Sequence, residues 1–257
     1  MGVSIFFGAA LLPMQYTVTV LFPRDCCKAM FNEREADNLR ADSGLLSRLG
    51  VECRTDKSCH NLTDGLNYLD VYEPYFSQFS QQPVRLLEIG VRDGSSLRLW
   101  QRYFVNAEII VGIDIDPGCE KISIPKCCIE IGDQADPAFL RKVTDQYGPF
   151  DIVIDDGSHI NADIVASFEE LWAAVSANGI YVIEDLNNSY GRPMSLRMKF
   201  GAAWRTALLG RRYPVNRRSQ ITPFFERLIQ AADDPKNDVL CVHFWGQLCI
   251  VRKAAAS

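Results

Sequence analysis

The chain has 257 residues, 47% apolar and 23% charged, with a formal net charge of −5. That suits one large α/β domain with some extra chain at its ends. An acidic balance without a basic run counts against nucleic acid as the main partner. The most basic stretch, residues 205–218 with Arg211, Arg212, Arg217 and Arg218, reads first as a solvated face and second as a lure for an anionic substrate.

The first 22 residues are apolar except around Pro13 and Gln15, which would interrupt a membrane span. The positive n-region and cleavage site of a secretory signal are not evident, and Phe6 stands where myristoylation needs Ser or Thr. Residues 1–54 are therefore expected to be an N-terminal extension, either an arm on the domain or chain upstream of a start at Met14 or Met30. Residues 55–257 form the main domain. The nine cysteines show no CxxC pair, and neighbours such as Cys127 and Cys128 do not readily bridge. Reduced thiols in a cytoplasmic protein without a membrane partner are the expectation.

From residue 85 strands and helices alternate. Residues 85–90 read as a short apolar strand, and 95–103 as a helix with Leu97, Trp100 and Tyr103 at helical spacing. Strands follow at 108–113 and 129–131, then a helix at 137–147 that begins with proline. The fourth strand is 150–154. The next helix is 162–177, with Phe168, Leu171, Trp172 and Val175 on one face, and the fifth strand is 179–184. Repeated β-α-β units imply a parallel sheet with helices on both faces. Residues 191–239 form a polar helical insertion containing a helix at 224–232. Strands at 240–245 and 247–252 make a closing hairpin around Gly246.

Polar residues gather where strands stop. In Asp151-Ile152-Val153-Ile154-Asp155-Asp156-Gly157-Ser158-His159, a β-branched run without alternation marks a central strand buried on both faces. It ends in two carboxylates, a glycine and a histidine, the kind of group that lines the ligand crevice of an open α/β sheet. One carboxylate could hold a metal and the histidine could take a proton. The plainer alternative makes Asp155 and Asp156 helix caps and His159 a solvated first-turn residue.

The first strand runs into a glycine-rich turn, Glu88-Ile89-Gly90-Val91-Arg92-Asp93-Gly94-Ser95, where backbone can approach a ligand closely. Its ExGxxxG spacing lacks the glycine that admits a pyrophosphate, so a dinucleotide oxidoreductase fits poorly. Asp114 closes the second strand, where a carboxylate can accept both hydroxyls of a ribose. Asp133 and Gln134 follow the third, within reach of an adenine amine. Taken in this order at successive strand ends, these features point to S-adenosylmethionine.

The chain resembles the class I S-adenosylmethionine-dependent methyltransferases, and more narrowly the metal-dependent O-methyltransferases that act on the sugars of macrolides and related polyketides. The resemblance rests on Thr55-Asp56-Lys57, Leu87-Glu88-Ile89-Gly90, Ser96-Leu97-Arg98-Leu99-Trp100, Gly112-Ile113-Asp114, Gly132-Asp133-Gln134, Ile154-Asp155-Asp156-Gly157-Ser158-His159 and Val182-Ile183-Glu184-Asp185-Leu186, with Val242-His243-Phe244 near the end. It implies a Rossmann-like α/β fold: a mostly parallel seven-stranded sheet, an antiparallel C-terminal hairpin, and helices on both faces. The chain departs from the macrolide enzymes in a shorter loop after Gly90 and in little room for their separate N-terminal domain. Both departures bear on the acceptor and the oligomer.

The resemblance also implies roles. Asp156 and Asp185 become ligands of Mg²⁺, His159 the general base, and Glu88 a third acidic participant, possible as a metal ligand. Read from the residues alone, Glu88 equally contacts the cofactor or caps the loop. Gly90, Gly94, Ser95, Asp114, Asp133, Gln134 and Asp155 are assigned with Glu88 to cofactor binding, with Asp155 and Glu184 also read as outer partners of the metal site or as caps. Lys57 and Tyr190 are substrate or lid contacts weighed evenly against packing. His60 is placed in a lid, and His243 and Trp100 in the core.

The expected reaction is methyl transfer from S-adenosylmethionine to a hydroxyl of a small-molecule acceptor, a deoxysugar on a polyketide or similar glycoside. Such a hydroxyl is a poor nucleophile, and a neutral imidazole with a reference pKa of ~6.5 suits its deprotonation. Two alternatives stay open: a catechol or phenol O-methyltransferase, and a binding protein that holds S-adenosylmethionine without catalysis. Association of identical subunits is also left open.

Overall fold

A computed structural model describes residues 20–21, 44–58, 67–189 and 216–256. Five strands, β2 (Arg85–Ile89), β3 (Ile109–Asp114), β4 (Cys127–Ile131), β5 (Phe150–Asp155) and β6 (Val175–Ile183), form the parallel part of the sheet. The hairpin of β7 (Val239–Trp245) and β8 (Leu248–Lys253) closes it, β8 running antiparallel to both β6 and β7. These are the seven expected strands. A two-residue strand, β1 (Val20–Leu21), adds an eighth member beside β7.

The order is β1-β7-β8-β6-β5-β2-β3-β4. The chain lays β2, β3 and β4 outward in one direction, then crosses back to place β5 on the other side of β2. That reversal opens a crevice beyond the carboxyl ends of β2 and β5, where ligands of open α/β sheets bind. Gly90 and Asp156 flank it.

The strands lack polar alternation because both faces are covered. Leu86, Ile110, Ile152, Ile154, Ile180 and Val182 pack with helices α1 (Leu45–Cys53), α2 (Tyr68–Phe76) and α3 (Ser95–Tyr103). Their neighbours Leu87, Val111, Val153, Tyr181 and Ile183 face the opposite way, toward α4 (Pro137–Tyr147), α5 (Asn161–Leu171) and α7 (Arg218–Asp233). A short helix, α6 (Leu186–Ser189), follows β6.

Several boundaries differ from expectation. The helix expected over 162–177 ends at Leu171 in a 3-10 turn, Trp172–Ala174. Val175 instead opens β6, because it pairs with Phe150 across the sheet and ladder bonds override its helical spacing. Helices α1 and α2 precede the strand–helix alternation that the sequence displays. Leu46 and Leu49 of α1 are buried in the same core as the sheet, so the helix just before residue 55 packs with the domain. The expected insertion lies partly outside the described residues; its described part is α7, longer than the 224–232 expected. The apolar start of the chain also lies outside them, apart from β1. All six described cysteines carry free thiols. Among the described residues no helix is long and apolar enough to cross a membrane.

Candidate active site

Three side chains converge where β5 and β6 stop. His159 Nε2 lies 3.8 Å from Asp156 Oδ1 and 3.7 Å from Asp185 Oδ2. One donor atom from each of these half-buried residues falls within 4.8 Å of the other two, a set that could hold a metal ion. His159 has φ +55° and Asp185 φ +56°, in the left-handed region that L-residues rarely adopt. Such strain clusters at sites where function over-determines the backbone. The His159 loop is pinned by the returning insertion: Asn216 Nδ2 donates to the His159 carbonyl at 2.6 Å, and Asn216 Oδ1 accepts from Asn161 N at 3.1 Å.

Beneath this trio lies a charge cluster that sequence reasoning did not foresee. Lys57 Nζ donates to Asp156 Oδ2 at 2.5 Å and to Glu184 Oε1 at 2.7 Å, and it stands 3.3 Å from Glu88 Oε1. Lys57 is only 2% exposed, so its expected role as a substrate or lid contact gives way to that of an internal cation. Burial alone would lower its pKa, but the three carboxylates, Asp156 foremost, outweigh it and hold the ammonium well above the usual lysine range. Burial pushes Glu184 well up, and the nearby Asp156 charge pushes the same way.

Glu88 is fully buried. Ser96 Oγ donates to its Oε2 at 2.7 Å and Trp100 Nε1 at 3.1 Å, and burial raises its pKa. It therefore anchors the start of α3 from below and stands apart from the Asp156–His159–Asp185 group. Trp100 is core, as expected, with its indole N–H spent on this carboxylate.

Helix α2 supplies two further contacts. Tyr68 Oη donates to Asp185 Oδ1 at 2.8 Å, and Tyr72 Oη donates to Glu184 Oε1 at 2.7 Å. Tyr68 and Tyr72 are four residues apart and so share a helix face. That spacing is visible in the sequence, but aromatic residues at helical spacing ordinarily mean core.

The loop after β2 is built around Asp114. Its Oδ2 accepts from Val91 N and Arg92 N, each at 2.9 Å, and its Oδ1 accepts from Asp116 N at 2.9 Å. Asp93 Oδ1 accepts from both the amide and the hydroxyl of Ser95. Gly90 has φ +100°, and a Cβ there would meet the Asp156 carbonyl oxygen at 2.2 Å. Gly90 thus lets two loops of the crevice touch. Gly94 caps α3 in the left-handed conformation. Arg92 pairs with Asp56, tying this loop to the Lys57 turn.

Gln134 and Asp155 are placed differently from their expected cofactor contacts. Gln134 Nε2 donates to Asp155 Oδ1 at 3.0 Å, and Gln134 Oε1 accepts from Ser158 N at 2.6 Å. Ser167 Oγ donates to Asp155 Oδ2 at 2.8 Å. Both residues are buried, and burial raises the Asp155 pKa to about 6 against the hydrogen bonds from Ser167 and Gln134. Together they brace the loop that carries His159. Asp133 accepts from Ala135 N and stays half-buried at the end of β4. His243, expected in the core, is half-buried at its margin, with Nδ1 2.6 Å from Tyr75 Oη. Tyr190 and His60 lie outside the described residues.

No protein-family model matches the chain. Among curated proteins it is 42% identical over 130 residues to the 8-demethyl-8-alpha-L-rhamnosyl tetracenomycin-C 2'-O-methyltransferase of Streptomyces olivaceus, over 48% of this chain and 34% of that protein. It is 43% identical over 128 residues to the mycinamicin VI 2''-O-methyltransferase of Micromonospora griseorubida, over 46% of this chain and 31% of that one. The matched part thus spans about a third of these relatives' length. Among solved structures, the MycE methyltransferase of the mycinamycin pathway, in complex with Mg, SAH and mycinamycin VI, superposes with a TM-score of 0.66 at 26% identity. That match covers 89% of this chain and 64% of MycE. A second MycE structure, with Mg and SAH, gives a TM-score of 0.63 at 30% identity, over 83% of this chain and 55% of that one. The chain therefore has the Rossmann-like fold of the class I S-adenosylmethionine-dependent methyltransferases and is similar in sequence to the sugar O-methyltransferases of polyketide pathways.

Proposed function

We propose that this domain transfers a methyl group from S-adenosylmethionine to a sugar hydroxyl of a small glycosylated acceptor, with Mg²⁺ held by Asp156 and Asp185 and His159 as the base. The observation that carries this reading is the meeting of Asp156, His159 and Asp185 at the carboxyl ends of adjacent strands, beside the Gly90 loop. The similarity to enzymes named for methylating sugar hydroxyls, and to MycE bound to Mg and SAH, supports it.

The residues fit both groups. In a dinucleotide site the loop amides hold phosphate; here Val91 N, Arg92 N and Ser95 N are spent on the carboxylates of Asp114 and Asp93. Carboxylates in that position disfavour a pyrophosphate and favour a cofactor that carries a sulfonium cation and no phosphate. For the metal, Asp156 Oδ1 and Asp185 Oδ2 converge on one point, and His159 Nε2 beside them keeps its lone pair for the proton. Asp156 and Asp185 each turn one oxygen toward the same point, so the pair attracts a cation beyond the Lys57 ammonium.

A bound divalent cation supplies Lewis acidity toward the acceptor hydroxyl. The remaining work falls to the chain. His159, in its neutral form, takes the hydroxyl proton at Nε2, the nitrogen that faces both carboxylates. Gln134, Asp155 and Asn216 hold the His159 loop still, so the base does not have to be ordered during the reaction. Glu88, through Ser96, fixes the start of α3 behind the cofactor loop.

The test is direct. The purified chain, S-adenosylmethionine and Mg²⁺ are incubated with rhamnosylated aromatic polyketides, with a glycosylated macrolide and with catechol, and products are read by mass spectrometry. Methylation of a sugar hydroxyl is expected. Methylation of catechol alone would favour the phenol reading, and cofactor binding without any product would favour the non-catalytic one.

A further inference from the structure

Resting on the metal reading above, we propose that Lys57 and Tyr68 are positioning residues that make Asp156 and Asp185 one-oxygen donors, and so set the site's preference for Mg²⁺ over Ca²⁺. The two carboxylates are divided in the same way. Asp156 gives Oδ2 to the Lys57 ammonium at 2.5 Å and turns Oδ1 toward His159 Nε2 at 3.8 Å. Asp185 gives Oδ1 to the Tyr68 hydroxyl at 2.8 Å and turns Oδ2 toward the same nitrogen at 3.7 Å. In each case one oxygen is occupied by a donor from the segment before β2, and the other faces the site.

Both donors are held firmly. Lys57 is 2% exposed and is fixed by a second carboxylate, Glu184, whose own Oε1 is taken by Tyr72. Tyr68 is also 2% exposed, and its hydroxyl lies 3.2 Å from Gln247 Oε1 as well. A rigid partner on one oxygen prevents the carboxylate from swinging to offer both. Mg²⁺ takes single carboxylate oxygens in near-ideal octahedral geometry, whereas Ca²⁺ accepts more oxygens and readily takes carboxylates bidentately. A cluster that presents one oxygen per carboxylate therefore favours the smaller ion. Tyr68 and Lys57 act through the ligands they hold and touch no reacting atom.

The experiment titrates the purified chain with Mg²⁺ and with Ca²⁺ by calorimetry, alongside Tyr68→Phe and Lys57→Met. Tyr68→Phe keeps the ring in the core and frees Asp185 Oδ1. The ratio of Ca²⁺ Kd to Mg²⁺ Kd is expected to fall about tenfold, the scale on which outer partners of metal ligands act. Lys57→Met is expected to move the ratio the same way. Should it fail to fold with the buried Glu88 and Glu184 deprived of their cation, Tyr68→Phe alone decides. An unchanged ratio in folded Tyr68→Phe overturns this proposal while leaving the metal site standing. Absence of any divalent-ion binding to the unmodified chain overturns both.

Discussion

Nε2 of His159 lies 3.7 Å from Oδ2 of Asp185, and the two residues reach that distance from separate loops, each with a left-handed backbone. Two strained positions meeting at one point are a costly arrangement, on the order of 1–3 kcal/mol each, and it persists only where the surrounding structure holds it. Here Asn216, Gln134 and Tyr68 supply the hold.

If His159 is the base, its replacement should cost turnover and little else. Asn tolerates the left-handed region better than most residues, so His159→Asn keeps the loop conformation. Turnover should fall ~10²–10⁴-fold with cofactor affinity within a few-fold of the unmodified chain. Near-normal turnover in the purified variant would reject the assignment.

Cation binding should register as stability. The carboxylates around Lys57 repel one another, and a divalent ion bound only by the folded state adds about 2.7 kcal/mol at a hundred times its Kd. Thermal unfolding should therefore shift upward when Mg²⁺ is added after EDTA, and methyl transfer should be lost and regained in step. Asp185→Asn should remove most of the shift. A melting temperature indifferent to Mg²⁺ would argue against the site.

Gly90 and Asp114 should separate structure from binding. Gly90→Ala forces a left-handed alanine whose Cβ meets the Asp156 carbonyl at 2.2 Å, so it should destabilise the fold by about 1–3 kcal/mol from backbone strain alone. Asp114→Asn retains an oxygen for the Val91 and Arg92 amides but loses the charge. It should weaken S-adenosylmethionine binding, measured calorimetrically, by more than the ~1 kcal/mol of stability lost with the Asp116 amide bond. Unaltered affinity would detach Asp114 from the cofactor.

His243 should give the fold an acid-side sensitivity of its own. Burial, with the Arg252 charge adding to it, holds this imidazole below the usual histidine value. The unfolded chain takes up the proton first, from about pH 6.5 downward. The folded state is thus favoured above that pH and loses the advantage as pH falls from ~6.5 toward the lower folded-state value. Urea midpoints at pH 7.5 and 5.5 should differ less for His243→Gln than for the unmodified chain. Equal slopes would show that other groups carry the effect.

The sequence by itself determined the sheet and the places where chemistry gathers. Short unalternating β-branched runs such as Ile152 to Ile154 read as strands covered on both faces, and the spacing over 95–103 reads as a helix. The meeting of Asp156, His159 and Asp185 is legible because each sits just past an apolar run, where a parallel sheet leaves its crevice. Tertiary structure decided what each polar group does. Gln134 and Asp155 looked like ligand contacts, but a strand end offers a side chain two directions, into the crevice or beneath it, and theirs is beneath. Lys57 lies 99 residues from Asp156 and 127 from Glu184 in sequence, so no local pattern marks it as their shared cation. Tyr68 and Tyr72 look like core aromatics at helical spacing, and their bodies are core. Only the packing of α2 against the ends of β5 and β6 brings their hydroxyls to Asp185 and Glu184, because a hydrogen bond across that distance in the chain exists only after the sheet has formed.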